Sequence, residues 1–95
     1  EDGIFVVIAL VDSKSGKIRT SPDIISRGFI YLRENQALLR DVREKVKEVV
    51  EKTTVGGARP INWSHIKDNL RESIGQFLYN KTERRPMVLP VVIEV

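Results

Sequence analysis

Ile4-Phe5-Val6-Val7-Ile8-Ala9-Leu10-Val11 decides how the rest of this 95-residue chain is read. Eight apolar residues in a row, five of them β-branched, stand between Gly3 and Asp12. A run of that length, closed by turn-forming residues, reads as a β-strand. It shows no polar alternation, so both of its faces are expected to be covered and its place is the centre of a sheet.

Asp12-Ser13-Lys14-Ser15-Gly16 follows and reads as a hairpin turn, because Gly16 can take a positive φ without steric cost. Lys17 to Ser21 is then the expected return strand, with Ile18 and Thr20 on one face. Ser21-Pro22-Asp23 breaks it. Ile24 to Leu32 reads as an extended segment with a turn at Arg27-Gly28, and Ile24, Ile25, Phe29 and Ile30 are expected to be partly buried.

From about Asn35 to Thr53 the period becomes helical. Leu39, Val42, Val46, Val49 and Val50 form one apolar stripe, and Glu48 and Lys52 are spaced as an i,i+4 pair. Val55 to Pro60, with two glycines and a proline, is a loop. Asn62 is a suitable N-cap for a second helix, whose stripe is Trp63, Ile66, Leu70, Ile74, Phe77 and Leu78. Pro86 ends a charged turn. Met87 to Val95 is a last strand, and Pro90 within it cannot donate a ladder hydrogen bond, so an edge position or a bulge is expected. The order is β-β-α-α-β. The expected fold class is α+β, a three-stranded mixed sheet with two helices packed on one face and the first strand between the other two.

Length and composition agree with one domain over residues 1–95. A chain of this size buries roughly 60–70 % of its unfolded surface. A hydrophobic content of 41 % argues against disorder. The chain has no cysteine, which rules out disulfides and thiolate metal sites. The longest apolar run falls far short of the ~20 residues of a membrane helix, and the acidic first residues do not resemble a signal peptide. Two glycosylation triplets, at Asn62 and Asn80, read as chance matches. The net charge of +3 is compatible with a polyanionic partner without requiring one.

Catalytic constellations are sparse. The single histidine, His65, is expected to face solvent in the first turn of the second helix, and one imidazole builds neither a zinc site nor a Ser-His-Asp triad. Gly16-Lys17 lacks the remainder of a phosphate-binding loop, since Val11 and Ile18 stand where glycine and Ser/Thr are needed. Asp12 and Asp23 sit in turn contexts, where Asp bonds its own backbone more readily than it serves as an acid–base pair. Gly56-Gly57 lacks the Gly-x-x-Gly spacing of an RNA-clamping loop. Trp63 continues the apolar stripe, which favours packing over base stacking.

Lys81, Arg84 and Arg85 remain, close to the second helix's C-terminus. Two readings stand beside each other. The cations offset the partial negative charge of the last helical carbonyls, or, with Arg27, they contact RNA phosphates.

Three stretches together resemble the C-terminal domain of ribonuclease J. They are Asp2 to Val7; Pro22-Asp23-Ile24-Ile25-Ser26-Arg27-Gly28-Phe29-Ile30-Tyr31; and Phe77-Leu78-Tyr79, with Lys81-Thr82 and Arg84-Arg85-Pro86-Met87-Val88-Leu89-Pro90-Val91. Ile25 to Phe29 and Arg84 to Met87 are its most specific parts, and it thins between Thr53 and Ile61. The resemblance implies a cytoplasmic parent nuclease with metallo-β-lactamase and β-CASP domains upstream and absent here. Such an enzyme cleaves RNA internally and from the 5′ end with two metal ions, usually zinc, in mRNA decay and ribosomal RNA maturation. It implies no catalytic, metal or cofactor residue in this chain. It implies instead a supporting role in homo-oligomer assembly and activity, with RNA reached through the parent. The uncovered face of the sheet is then expected to meet a second copy or the catalytic core. The alternative is an accessory domain that guides RNA through Arg27, Lys81, Arg84 and Arg85.

Overall fold

The computed structural model describes residues 2–32 and 34–95. Its elements are β1 (Ile4–Val11), β2 (Asp23–Arg27), a 3₁₀ turn (Ile30–Leu32), α1 (Gln36–Thr54), α2 (Trp63–Thr82) and β3 (Met87–Glu94). The sheet order is β2-β1-β3. β1 runs antiparallel to β2 and parallel to β3, so the sheet is mixed. The apolar first strand is central and Pro90 sits in an edge strand, as the sequence leads one to expect.

The second strand lies further along the chain than Lys17–Ser21. The hairpin turn at Asp12–Gly16 does form: Gly16 has φ +79°, and its N–H donates to the Asp12 carbonyl at 2.8 Å. Beyond it only Ile18 bridges to Val11, with the Arg19 N–H donating to the Leu10 carbonyl. Pairing then steps three residues along β1, from Val11 to Ile8, but five along the return, from Ile18 to Asp23. Two extra residues are therefore accommodated around Ser21-Pro22. Proline, which has no N–H to give the ladder, is where the return strand is interrupted.

The helices are set by their caps and stripes. The Asn35 and Asn62 side chains accept from the Leu38 and His65 backbone N–H groups, at 2.9 and 3.1 Å. α1 buries Leu38, Val42, Val46, Val50 and Thr54; Leu39 and Val49 pack at the margin. α2 buries Ile66, Leu70, Ile74 and Leu78, with Trp63 and Phe77 half-buried against the same core. These side chains meet Phe5, Val7, Ala9 and Val11 of β1 and Val88 of β3. Both helices thus cover one face of the sheet. Glu48 pairs with Lys45 at 3.5 Å rather than with Lys52. Ile25 and Ile30, expected to be partly buried, are exposed, while Ile24 and Phe29 turn inward.

The hairpin tip is fastened to the other end of the layer. The Thr54 hydroxyl lies between the Gly16 and Val50 carbonyls. The Ile18 N–H donates to the Glu51 carboxylate at 2.8 Å. The Thr54–Gly16 and Ile18–Glu51 links run between positions more than thirty residues apart, and they tie the hairpin that follows β1 to α1.

Candidate interaction surface

Strand alternation sends every second side chain away from the helices. On β1 those are Ile4, Val6, Ile8 and Leu10. The register places Met87, Leu89, Val91 and Ile93 of β3 beside them, in that order. Ile25 of β2 stands across from Val6, with Arg27 and Asp23 opposite Ile4 and Ile8. The face is therefore nine aliphatic or thioether side chains with one cation and one anion along the β2 side. Met87 is 61 % exposed and Ile25 43 %. Three strands about 4.8 Å apart, rising about 3.3 Å per residue, make this a surface of roughly 300 Å². That is the size of the largest apolar patch on a typical monomer, and such patches are often functional.

The sequence leads one to expect both faces of β1 to be covered; within this chain only the helix-side face is, because both helices pack on that side, and Ile4 on the other is exposed. The sequence did not single out Met87, Leu89, Val91 and Ile93. Their signal was present: Met87 to Ile93 has no polar residue at either parity. An edge strand with one covered face and one wet face would alternate; β3 does not.

The four cations go to different surroundings. Arg27 lies on the open face, and its Nη1 donates to the Ser26 carbonyl at 3.1 Å. Lys81 sits in the last turn of α2, its ammonium 5.5 Å from the centre of the Phe77 ring. Arg84 follows the left-handed cap residue Glu83 (φ +58°) and lies over the Tyr31 ring at 5.7 Å. Arg85 folds back on α2. Its guanidinium approaches Glu72 at 3.7 Å and donates to the Gln76 side-chain oxygen at 3.4 Å, while its N–H donates to the Asp2 carboxylate. All four are solvent-exposed. Each has an intramolecular partner, so the clustering in sequence is not a single guanidinium-lined groove.

The remaining polar candidates fall in turns and caps. Asp12 accepts from the Ser15 and Lys14 N–H groups at 2.8 and 2.9 Å and from the Arg19 guanidinium at 3.2 Å. In that order of importance, these donors lower its pKa to about 2. Asp23 opens β2 on the bare face. His65 is exposed, its Nε2 3.3 Å from the Asn69 amide nitrogen. Among the described residues no three His, Asp or Glu side chains converge as a metal site would require, and no helix is long and apolar enough to cross a membrane.

A two-layer α+β domain with one face of its sheet bare and aliphatic is the class these elements define. The chain matches the ribonuclease J C-terminal domain over residues 1–95 and belongs to that family. It is similar to the ribonuclease J 2 of Staphylococcus aureus, with 45 % identity over 95 residues, covering all of this chain and 17 % of that protein. It is also 43 % identical, over the same span, to the ribonuclease J 2 of Staphylococcus epidermidis. The chain thus spans about a sixth of the length of the curated relatives it matches.

Proposed function

We propose that this chain is the assembly domain of a ribonuclease J-type enzyme, and that its bare sheet face is where the assembly is made. The carrying observation is the aliphatic surface formed by Ile25, β1 and β3. Covering such a face removes it from water, at a gain of roughly 25 cal/mol per Å² of apolar area. Phosphodiester hydrolysis, internal and from the 5′ end, then belongs to catalytic domains elsewhere in the polypeptide. Two zinc ions held by those domains would supply the nucleophile and charge stabilisation there. The setting is cytoplasmic mRNA decay and ribosomal RNA maturation. In this reading the chain contributes no ligand to those ions. It brings catalytic cores together as a homo-oligomer, or fixes itself to the core of its own chain.

Sedimentation equilibrium tests this on the chain and on the full-length enzyme. The expected result is a mass above one protomer that falls when Leu89 becomes Lys. A one-chain mass at high concentration, with no change in the full-length enzyme on the same substitution, overturns it.

Direct RNA contact is a second reading, favoured by the exposure of Arg27 and Arg84. Titrating single-stranded RNA at two salt concentrations separates the two. Salt-dependent binding lost on replacing Arg84 and Arg85 supports contact; absence of binding at low salt removes it.

A further inference from the structure

Two clefts lie beside α1, one against the edge of β2 and the other against Ile18 to Pro22, the segment that leads into it. One, of about 260 Å³, is lined by Ile24, Ser26, Phe29, Leu32 and Leu39. The other, of about 310 Å³, is lined by Arg19, Pro22, Arg43, Glu44 and Lys47. No residue of β1 or β3 lines either cleft, so both lie outside the three-stranded sheet and beneath the flank of α1. β2 is an edge strand. The place beside it is that of a missing fourth strand, with α1 already above it. Ser26 Oγ, buried beside the first cleft, has no hydrogen-bond partner among the described residues.

The two clefts follow each other along α1, from Leu39 to Arg43 to Lys47. Each step is one turn of helix, an advance of about 6 Å. Alternate residues of an extended chain advance about 6.6 Å. Same-side residues of an added strand therefore keep step with Leu39, Arg43 and Lys47. The first position is aliphatic. The next two are cationic: Arg43 gives its Nε to the Pro22 carbonyl at 3.2 Å, with no bond from its two terminal amino groups among the described residues, and Lys47 is exposed. Glu44 is the one acid in the lining, and Arg19 is already paired with Asp12.

We propose that the β2 edge binds an extended segment of a second protein as a fourth, antiparallel strand. The segment carries an apolar residue followed two and four positions later by acidic ones. Main-chain bonds to β2 give affinity, and the alternating side chains give specificity. These 95 residues contain no two acidic residues spaced two apart, so a second copy of this domain does not carry the pattern. A single RNA strand would use the cations but leave the aliphatic cleft and the strand edge unpaired. The proposal is independent of the bare sheet face, which lies on the other side of the sheet from these clefts.

The probe is a labelled peptide, acetyl-Thr-Val-Leu-Thr-Asp-Val-Glu-Thr-amide, read by fluorescence anisotropy. Its control has the same composition with each acidic residue moved by one position. The first peptide is expected to bind more tightly than the control and to shift the backbone amide signals of Ile24 to Arg27. Lys47→Glu is expected to weaken binding by about tenfold, and a peptide with Lys in place of its Glu to restore it. No saturable binding up to about 1 mM, equal binding of the two peptides, or amide shifts confined to other strands overturns the proposal. So does displacement of the peptide by single-stranded RNA at lower concentration.

Discussion

Ile25 of β2 stands directly across from Val6 of β1, on the face of the sheet the helices leave bare. Its neighbours Ile24 and Ser26 point the other way, toward the helix layer. A one-residue slip of β2 would exchange these environments, so the register and the apolar face specify each other.

Replacing Ile25 with Lys puts a charge on the bare face without touching the core. The isolated protomer is expected to lose little stability, within about 0.5 kcal/mol, as is usual for exposed positions. Assembly is expected to fall sharply, because a buried unpaired ammonium is costly. Thermal melting and sedimentation on the same sample separate the two effects. A large drop in melting temperature with unchanged mass would show that the face serves the protomer and not its assembly.

Much of this arrangement was written into particular residues. Asn62 and the Trp63–Leu78 stripe placed α2, since capping and 3.6-residue periodicity are local properties. Pro90 placed β3 at an edge for an equally local reason. β2 was displaced because Lys17–Ser21 has a strand's alternation but ends at Pro22, and which side of a proline pairs with β1 depends on non-local register. Arg84 and Arg85 were adjacent in sequence yet take different partners, Tyr31 and Glu72, because the chain reverses after the Glu83 cap. Such long-range partners leave no periodic trace.

Gly16 and Gly56 both have positive φ, +79° and +73°, but only one is enclosed. A Cβ at Gly16 would lie 2.5 Å from the Thr54 carbonyl oxygen; one at Gly56 would meet nothing within 4 Å. Gly56→Ala is therefore expected to cost about 1–2 kcal/mol, the left-handed backbone term alone. Gly16→Ala carries in addition a backbone clash and is expected to cost about 2 kcal/mol more. Urea denaturation of the pair, at unchanged m-value, measures the difference. Equal losses would mean that the hairpin tip moves freely off α1.

Arg59 holds the same tip from the other side. Its Nη2 donates to the Lys14 carbonyl at 2.7 Å, its Nε to Ser13 at 3.1 Å and its Nη1 to Thr54 at 3.0 Å. One planar guanidinium thus joins the β1 hairpin to the α1–α2 loop. Arg59→Ala is expected to cost about 1–2 kcal/mol, several hydrogen bonds discounted for exposure. Arg59→Lys should recover little, since an ammonium does not reproduce the fork. Full recovery by Lys in a thermal melt would reduce the contact to simple charge.

Asp12 makes the tip sensitive to acid. The Ser15 and Lys14 N–H groups, then Arg19, lower its pKa from 3.8 to about 2 in the folded chain. Because the folded value lies below the unfolded one, the unfolded chain binds the proton more readily. The stabilising contribution is complete above about pH 4 and is lost as the pH falls toward 2. Asp12→Asn keeps an acceptor for the two N–H groups but removes the charge facing Arg19. The melting difference between the two proteins is therefore expected to be constant from pH 7 to 5 and to shrink below pH 4. Parallel melting curves down to pH 2 would show that the carboxylate's charge adds nothing to the turn, and that its geometry alone holds Lys14 and Ser15.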